Sequence, residues 1–403
     1  MTVSLHLAVA LDGAGFHPAA WREPSARPKE LFTARYWTEL AQRAERGLLD
    51  FITIEDAFSL QSSRSTPDDR TDQVRGRLDA VLIASVIAPS TKHLGLIPTV
   101  IPTHTEPFHV ASAVSTLDWV SKGRAGWRPQ ISWKSHEATH VGLREVPPID
   151  RRANDEVTRG YINDLFDEAA DAVEVVRRLW DSWEDDAIIR DVTTGRFVDR
   201  DKLHYIDFRG RFFNVKGPSI VPRPPQGQPI VAALAHSEVP FRFAAKSADV
   251  VFVTPAEGDD VSGKVGDIRA AEKTVERARE RLMVFADLVV FLDESIDRAE
   301  ARRARLDELD GHAYRSDAAF FVGTPNGLAD QLVDWQRHGL DGFRLRPAVV
   351  THDLDAIVDG VVPALQKRGA FRTEYPPGSL RARLGLPRPE NRHAGAVAGS
   401  ETS

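Results

Sequence analysis

Residues 93–132, HLGLIPTVIPTHTEPFHVASAVSTLDWVSKGRAGWRPQIS, read as one complete strand, helix, strand unit. Leu94 to Val100 is a short apolar run with proline at both sides of its end, the composition of a strand buried on both faces of a parallel sheet. The helix that follows has Pro107 in its first turn, where a missing N–H costs nothing. Val110, Ala113, Val114 and Leu117 then fall at the spacing of one buried helical face. Ser121-Lys122-Gly123-Arg124 stops it, and Ala125 to Ser132 supplies the second strand. A crossover of this length between parallel neighbours is right-handed.

Working outward, the same alternation recurs along most of the chain, which is the pattern of parallel α/β architecture. Ser4 to Leu11 is expected as the first strand, followed by a helix at Arg35 to Arg46 closed by Gly47. A second strand at Leu49 to Ile54 ends in Glu55-Asp56, and a polar loop from Ser59 to Gly76 leads to a helix at Leu78 to Ala88. After the central unit, Trp133 to Thr158 reads as irregular, and Phe166 to Trp180 as a strong helix. Thr193 to Pro229, rich in aromatics, turns and prolines, is expected as a hairpin excursion. Strands five, six and seven are placed at Ile230–Leu234, Asp249–Val253 and Leu282–Leu292, with helices at Ser237–Ser247, Val265–Arg281 and Ser295–Leu309. A helix at Leu328–Arg337, the last strand at Asp341–Arg346 and a helix at Leu354–Arg368 complete the series. The expectation is a single (β/α)8 TIM barrel over residues 1–372 with hairpin and loop insertions. Residues 373–403 are expected as an extended C-terminal tail whose last ten residues are disordered.

The 403 residues include 42% hydrophobic and 28% charged side chains, an ordinary globular composition able to bury a large core. Fifty-two basic residues are interspersed among 59 acidic ones for a net charge of -7, so no nucleic-acid surface is implied. The chain has no cysteine, which excludes disulfides, thiolate metal sites and a cysteine nucleophile and agrees with a cytoplasmic setting. The opening MTVSLHLAVALDGAGF lacks a basic leader and carries Asp12 in its apolar run, so it reads as a buried strand rather than a secretion signal. No membrane span is expected.

The stretch LDWVSKGRAGW, residues 117–127, resembles the "LD, two residues, S-x-GR, small residue, GW" signature of the bacterial luciferase-like superfamily, specifically its nitrilotriacetate and dibenzothiophene-sulfone monooxygenase group. The excursion and the carboxyl part, FVGTP … GLDGF … VVPALQKRGAFRTEY, resemble the same group, so the likeness covers roughly residues 5 to 393. It implies a (β/α)8 barrel that uses reduced FMN and oxygen on a small-molecule substrate, with a separate flavin reductase as partner and a homodimeric or homotetrameric assembly. Two alternatives are hydride transfer with an 8-hydroxy-5-deazaflavin coenzyme, within the same superfamily, and a non-catalytic flavin-binding barrel.

An isoalloxazine ring needs an apolar slot with a few polar groups at its edge, and its phosphate needs donors at a loop or helix start. By the resemblance, Asp56 and Thr99 match flavin-contacting positions at the ends of strands two and three, and Ser132 stands beside the ring at the end of strand four. A helix cap or surface ion pair for Asp56, and plain strand packing for Thr99, are the structural alternatives. His236 and Ser237 occupy the start of a helix where the family binds phosphate, and Phe166 stands where it has a phosphate-contacting tyrosine. Besides Phe166, the chain departs from the family at Arg128, in place of asparagine, and at Ala235, in place of glycine. His17, in GFHPAAWRE, matches a family loop and is the candidate for proton handling or substrate orientation; a structural loop histidine is the alternative. His104, Glu106 and His109 invite a metal reading, but only Glu106 and His109 share a helical face, so no metal site is assigned.

Overall fold

The computed structural model describes residues 5–62, 70–146, 155–256 and 260–394. Eight strands form the barrel: β1 (His6–Leu11), β2 (Phe51–Ile54), β3 (Gly95–Val100), β4 (Gly126–Pro129), β5 (Ile230–Ala235), β6 (Val250–Val253), β7 (Met283–Leu292) and β8 (Gly342–Pro347). Each pairs in parallel with the next, and β8 returns to β1 through Gly342 opposite His6 and Leu345 opposite Val9, closing the circle. The strands are almost wholly buried because helices cover the outside and side chains fill the inside, which is why they read as continuous apolar runs.

Alternate residues face the barrel axis. Toward the N-terminal end of the strands the interior is apolar: Phe51 packs on Phe285 and Phe252 with ring centroids 5.5 and 6.2 Å apart, beside Ala8 and Ile97. Nearer the C-terminal end the same positions carry Thr53, Thr99, Arg128, Asp287 and Arg344, all buried.

The helical layer comprises α1 (Ala34–Arg46), α2 (Ala80–Ile87), α3 (Pro107–Val120), α4 (Glu156–Asp181), α5 (Glu238–Ser247), α6 (Val261–Thr274), α7 (Ile296–Asp310) and α8 (Pro325–Gln336), followed by a helical segment from Val350 to Lys367. That last segment contains a π turn at Ile357–Val361. Pro363 removes one backbone donor just beyond it, and a Cβ on Gly360 would lie 2.6 Å from Pro325, so the helix bulges where it meets α8.

Several elements depart from expectation. The helix α4 starts at Glu156 rather than Phe166, because Asp155 caps it by accepting from the Thr158 amide at 2.7 Å. Inside the stretch expected to be irregular, Ser135–Val141 forms a short helix ended by Gly142 at φ 73°. The excursion begins at Ile188 and holds two separate two-stranded ribbons, Ile188–Asp191 with Arg196–Val198 and Phe208–Arg209 with Asn214–Val215. The helix α6 ends at Thr274, well short of Arg281. There Glu276 turns left-handed at φ 48° and the Arg277 guanidinium donates to the carbonyls of Ala245 at 2.7 Å and Ala248 at 2.9 Å. An unexpected strand, Ala319–Gly323, pairs with the outer half of β7, whose ten residues outrun the barrel wall.

The tail is the largest correction. Residues 380–383 form a short helix, and Leu380, Leu384 and Leu386 close the N-terminal end of the barrel against the apolar interior layer. This segment is a plug rather than an extended tail, because that layer would otherwise face water. Gly95 permits it: a Cβ there would lie 2.7 Å from Leu380 and 2.8 Å from Phe51. Arg381 ties the plug to Asp249 at 3.0 Å, and Arg372 pairs with Asp50. Disorder expected at 394–403 concerns, from 395 on, residues outside those described, as do residue 4 of the first expected strand, 63–69 of the polar loop and 147–154 of the irregular stretch. No helix among the described residues is long and apolar enough to cross a membrane.

Candidate functional site

The strand order carries Asp56, Thr99, Ser132, His236 and Ser237 to the C-terminal ends of β2, β3, β4 and β5, the barrel face where (β/α)8 proteins build their sites. Each has local work there. Asp56 accepts hydrogen bonds from the amides of Ala57 at 2.8 Å and Ala80 at 3.0 Å, so its carboxylate caps α2. Burial pushes its pKa up, against those amides. Thr99 accepts from the Arg128 guanidinium at 3.1 Å. Ser132 donates to Glu137 at 2.6 Å while its amide donates to Thr103 at 2.9 Å. Glu137 also accepts from Ser59 at 2.8 Å; burial opposes its charge, yet these donors and Lys134 hold its pKa down.

At β5, His236 is exposed and Ser237 is the N-cap of α5. The Ser237 side chain makes no capping bond, in contrast to Thr33, Asp155 and Ser295 at the starts of α1, α4 and α7. Phe166, on α4, lies half-buried with its ring 5.6 Å from that of Phe243 on α5, so the two aromatics pack these helices together.

His17 is buried and both its nitrogens are engaged. Its Nδ1 accepts from the Ala19 amide at 3.1 Å, which puts the proton on Nε2, and Nε2 donates to Asp307 at 3.0 Å. Burial lowers its pKa, with Asp307 pulling the other way. The imidazole is thus held by its own loop and by α7, edge-on to Tyr314 at 5.1 Å.

Below this rim lies a charge network that was not foreseen. Arg128 pairs with Glu55; Arg344 reaches Asp287 at 2.8 Å, Thr53 at 3.2 Å and Glu55 at 3.3 Å; Arg346 reaches Asp287 at 2.8 Å and pairs with Asp317. Burial pulls the Arg128 pKa down to about 10, and three arginines facing three carboxylates keep the interior neutral. The signal was present in GFRLRP, residues 342–347: charges two apart on an otherwise apolar strand point to one face, here the barrel axis.

Other residues at this face were either passed over or weighed only as metal ligands. His104, in the turn after β3, is buried with neither ring nitrogen hydrogen-bonded among the described residues, and the buried hydroxyl of Tyr161 on α4 is in the same condition. Both sense the Arg144–Glu168 pair, and His104 lies edge-on to Phe58 at 5.9 Å. Burial lowers the His104 pKa, with Arg144 adding to it. Tyr161 escaped notice because it precedes the expected start of its helix. Beside this face opens a cavity of about 620 Å³ bounded by the loops after β1 and β2, Lys134 and residues 310–315, with His17 in its wall.

Comparison with known proteins places this arrangement in context. The chain is 30% identical to the N-acetyl-S-(2-succino)cysteine monooxygenase of Bacillus subtilis (strain 168), the match covering 97% of this chain and 98% of that one. It is 29% identical to nitrilotriacetate monooxygenase component A of Aminobacter aminovorans, over 96% and 97% of the two chains. The crystal structure of a long-chain alkane monooxygenase superposes with a TM-score of 0.83 at 25% identity, covering 96% of each chain. A model of the family described as luciferase-like monooxygenase matches residues 14–342. Closed parallel barrel and sequence agree: the chain belongs to the luciferase-like monooxygenase family, a group of flavin-dependent enzymes.

Proposed function

We propose that the protein is the oxygenating component of a two-component system, taking reduced FMN from a separate flavin reductase and using oxygen to oxygenate a small organic molecule. The observation that carries this reading is the pair of buried polar groups at the C-terminal barrel face, His104 and Tyr161, that have no partner among the described residues. Leaving such groups unpaired costs about 1–3 kcal/mol each, so they mark a place where a polar ligand completes the structure. The donor set fits a flavin phosphate. Ser237 is exposed at the end of β5 and caps none of the first amides of α5 with its side chain, and His104 and Tyr161 would add side-chain donors. Asp56, Thr99 and Ser132 would border the ring edge from β2, β3 and β4. Glu238 in the first turn of α5 and the missing hydroxyl at Phe166 weaken the phosphate site without removing its amides.

Bound reduced flavin supplies the electrons that activate oxygen. The chain's own residues do the rest. The buried network of Arg128, Arg344, Glu55 and Asp287 sets a charge-balanced floor, and residues of the loops after β1 and β2 line the cavity beside it. His17, locked by Ala19 and Asp307, orients whatever enters and presents a ring rather than a mobile base.

Anaerobic titration tests the reading. FMN is expected to bind saturably and more tightly than riboflavin, and reduced FMN is expected to support substrate-dependent oxygen uptake. Preference for the deazaflavin coenzyme with hydride transfer and no oxygen uptake would overturn it.

A further inference from the structure

Glu137 joins two loops of the barrel face. It belongs to the short helix Ser135–Val141, which follows β4, and its side chain is buried. Its Oε2 accepts from the Ser132 hydroxyl at 2.6 Å, and its Oε1 accepts at 2.8 Å from the hydroxyl of Ser59, in the loop after β2. Lys134 lies 3.4 Å from Oε1, and the imidazoles of His104 and His136 also sense the carboxylate. Burial opposes the charge, but the two hydroxyls and Lys134 outweigh it and keep the group ionised. An ionised carboxylate can only accept, so each serine spends its single proton on Glu137. What Ser132 and Ser59 keep for a third group is lone pairs. A free serine rotates to suit a donor or an acceptor, whereas turning either of these hydroxyls away would strip a donor from a buried charge.

From this clasp we infer that Glu137 is a positioning residue: it locks Ser132 as a hydrogen-bond acceptor, and through Ser132 it favours the reduced over the oxidised state of a flavin at this face. Two-electron reduction turns edge nitrogens of the isoalloxazine from acceptors into N–H donors. A hydroxyl locked as acceptor therefore meets the reduced ring with a hydrogen bond and the oxidised ring with opposed lone pairs. The inference rests on the monooxygenase reading for the place of Ser132 at the ring edge, though not for the direction of its proton.

Glu137→Gln tests this with little change of shape, because it exchanges one acceptor for a donor. Lys134 draws the amide oxygen to its own side, that of Ser59, so the new NH2 faces Ser132. The Ser132 oxygen then accepts from it, and the serine proton turns outward. Dissociation constants for oxidised and for reduced FMN are measured anaerobically without substrate, so turnover does not enter. The parent is expected to bind the reduced form more tightly. In Glu137→Gln the ratio of the two constants is expected to move about tenfold toward the oxidised form, equivalent to a bound-flavin midpoint potential about 30 mV lower. Ser132→Ala is expected to shrink the preference, and Glu137→Gln added to it to have no further effect. A clasp that only holds the two loops together would weaken both redox states alike, so an unmoved ratio in Glu137→Gln overturns the inference. A parent that binds FMN in neither state defeats the monooxygenase reading, and the lock is then decided in ligand-free protein. There, infrared titration is expected to show the Glu137 carboxyl pKa rising in Ser132→Ala and in Ser59→Ala, since the ionised form loses a donor in each. A titration that neither change moves overturns the lock itself.

Discussion

Single residues at the barrel face differ in what they hold. Asp287 is fully buried and answers both Arg344 and Arg346, so Asp287→Asn leaves two guanidiniums short of a counter-charge. That change is expected to cost about 3–5 kcal/mol in denaturant unfolding, the range for breaking a buried ion pair from one side. Ser237 is the opposite case. An N-cap serine ordinarily contributes about 1 kcal/mol through its side chain, but here no such bond exists. Ser237→Ala should leave the apo melting temperature nearly unchanged and weaken FMN several-fold while leaving riboflavin unaffected. A fall in apo stability with FMN affinity intact would return Ser237 to plain capping. Thr99 shows how residue and context combine: the sequence places it at a strand end, and only the Arg128 side chain from the next strand shows that its hydroxyl accepts a hydrogen bond inside the barrel.

At the scale of elements, caps and punctuation explain where the chain departs from its periodicity. The helix α2 is apolar but for Ser85, with Leu82 68% exposed, so its start is set by polar anchors instead of by an amphipathic face. Asp79 caps it through the Leu82 amide at 2.8 Å, and Asp56 holds its first amide from the preceding strand. Asp56→Ala removes acceptors for two backbone donors and is expected to destabilise by about 1–2 kcal/mol, with faster amide exchange at the start of α2 as the confirming measurement. Unchanged exchange there would detach Asp56 from the helix. The long helix α4 was legible from Ala169, Ala172, Val173, Val176 and Leu179, whereas its polar first turns were not. They are started instead by the Asp155 cap on the Thr158 amide, which no apolar spacing signals.

For the whole molecule, stability depends on closing the N-terminal barrel end. Leu380 is fully buried among Phe51, Gly95 and Leu384, and Leu380→Ala is expected to cost about 2–5 kcal/mol as a cavity forms over the apolar layer. The same end is held by Asp50 and Asp249. Burial opposes both charges, yet His6 and Arg372 keep the Asp50 pKa at about 2, and Arg177 with Arg381 holds Asp249 well below the ordinary carboxylate range. A folded-state pKa below the unfolded value near 3.8 means that this stabilisation is complete above pH 4 and is lost as pH falls toward 2. Circular dichroism should therefore show a stability plateau above pH 5 and acid unfolding steepening below pH 4. Stability that is flat down to pH 2 would show that these pairs do not hold the end closed.

The amino-acid sequence by itself determined the alternation of buried strands and amphipathic helices, and with it the barrel, because parallel strands covered on both faces must be apolar throughout and period and burial are local properties. It also located the ends of β2, β3 and β5, and so the face on which Asp56, Thr99 and Ser237 stand; β4, expected to run to Ser132, ends at Pro129, and Ser132 follows in the loop at the same face. What each of these side chains bonds to was decided only by the tertiary structure. Arg128 meets Glu55 and Thr99, Arg344 meets Asp287, His17 meets Asp307, and Leu380 meets Phe51 across separations from 29 to 329 residues. Such pairings depend on barrel closure and on the returning tail, and no local pattern of residues encodes which strands become neighbours across the axis.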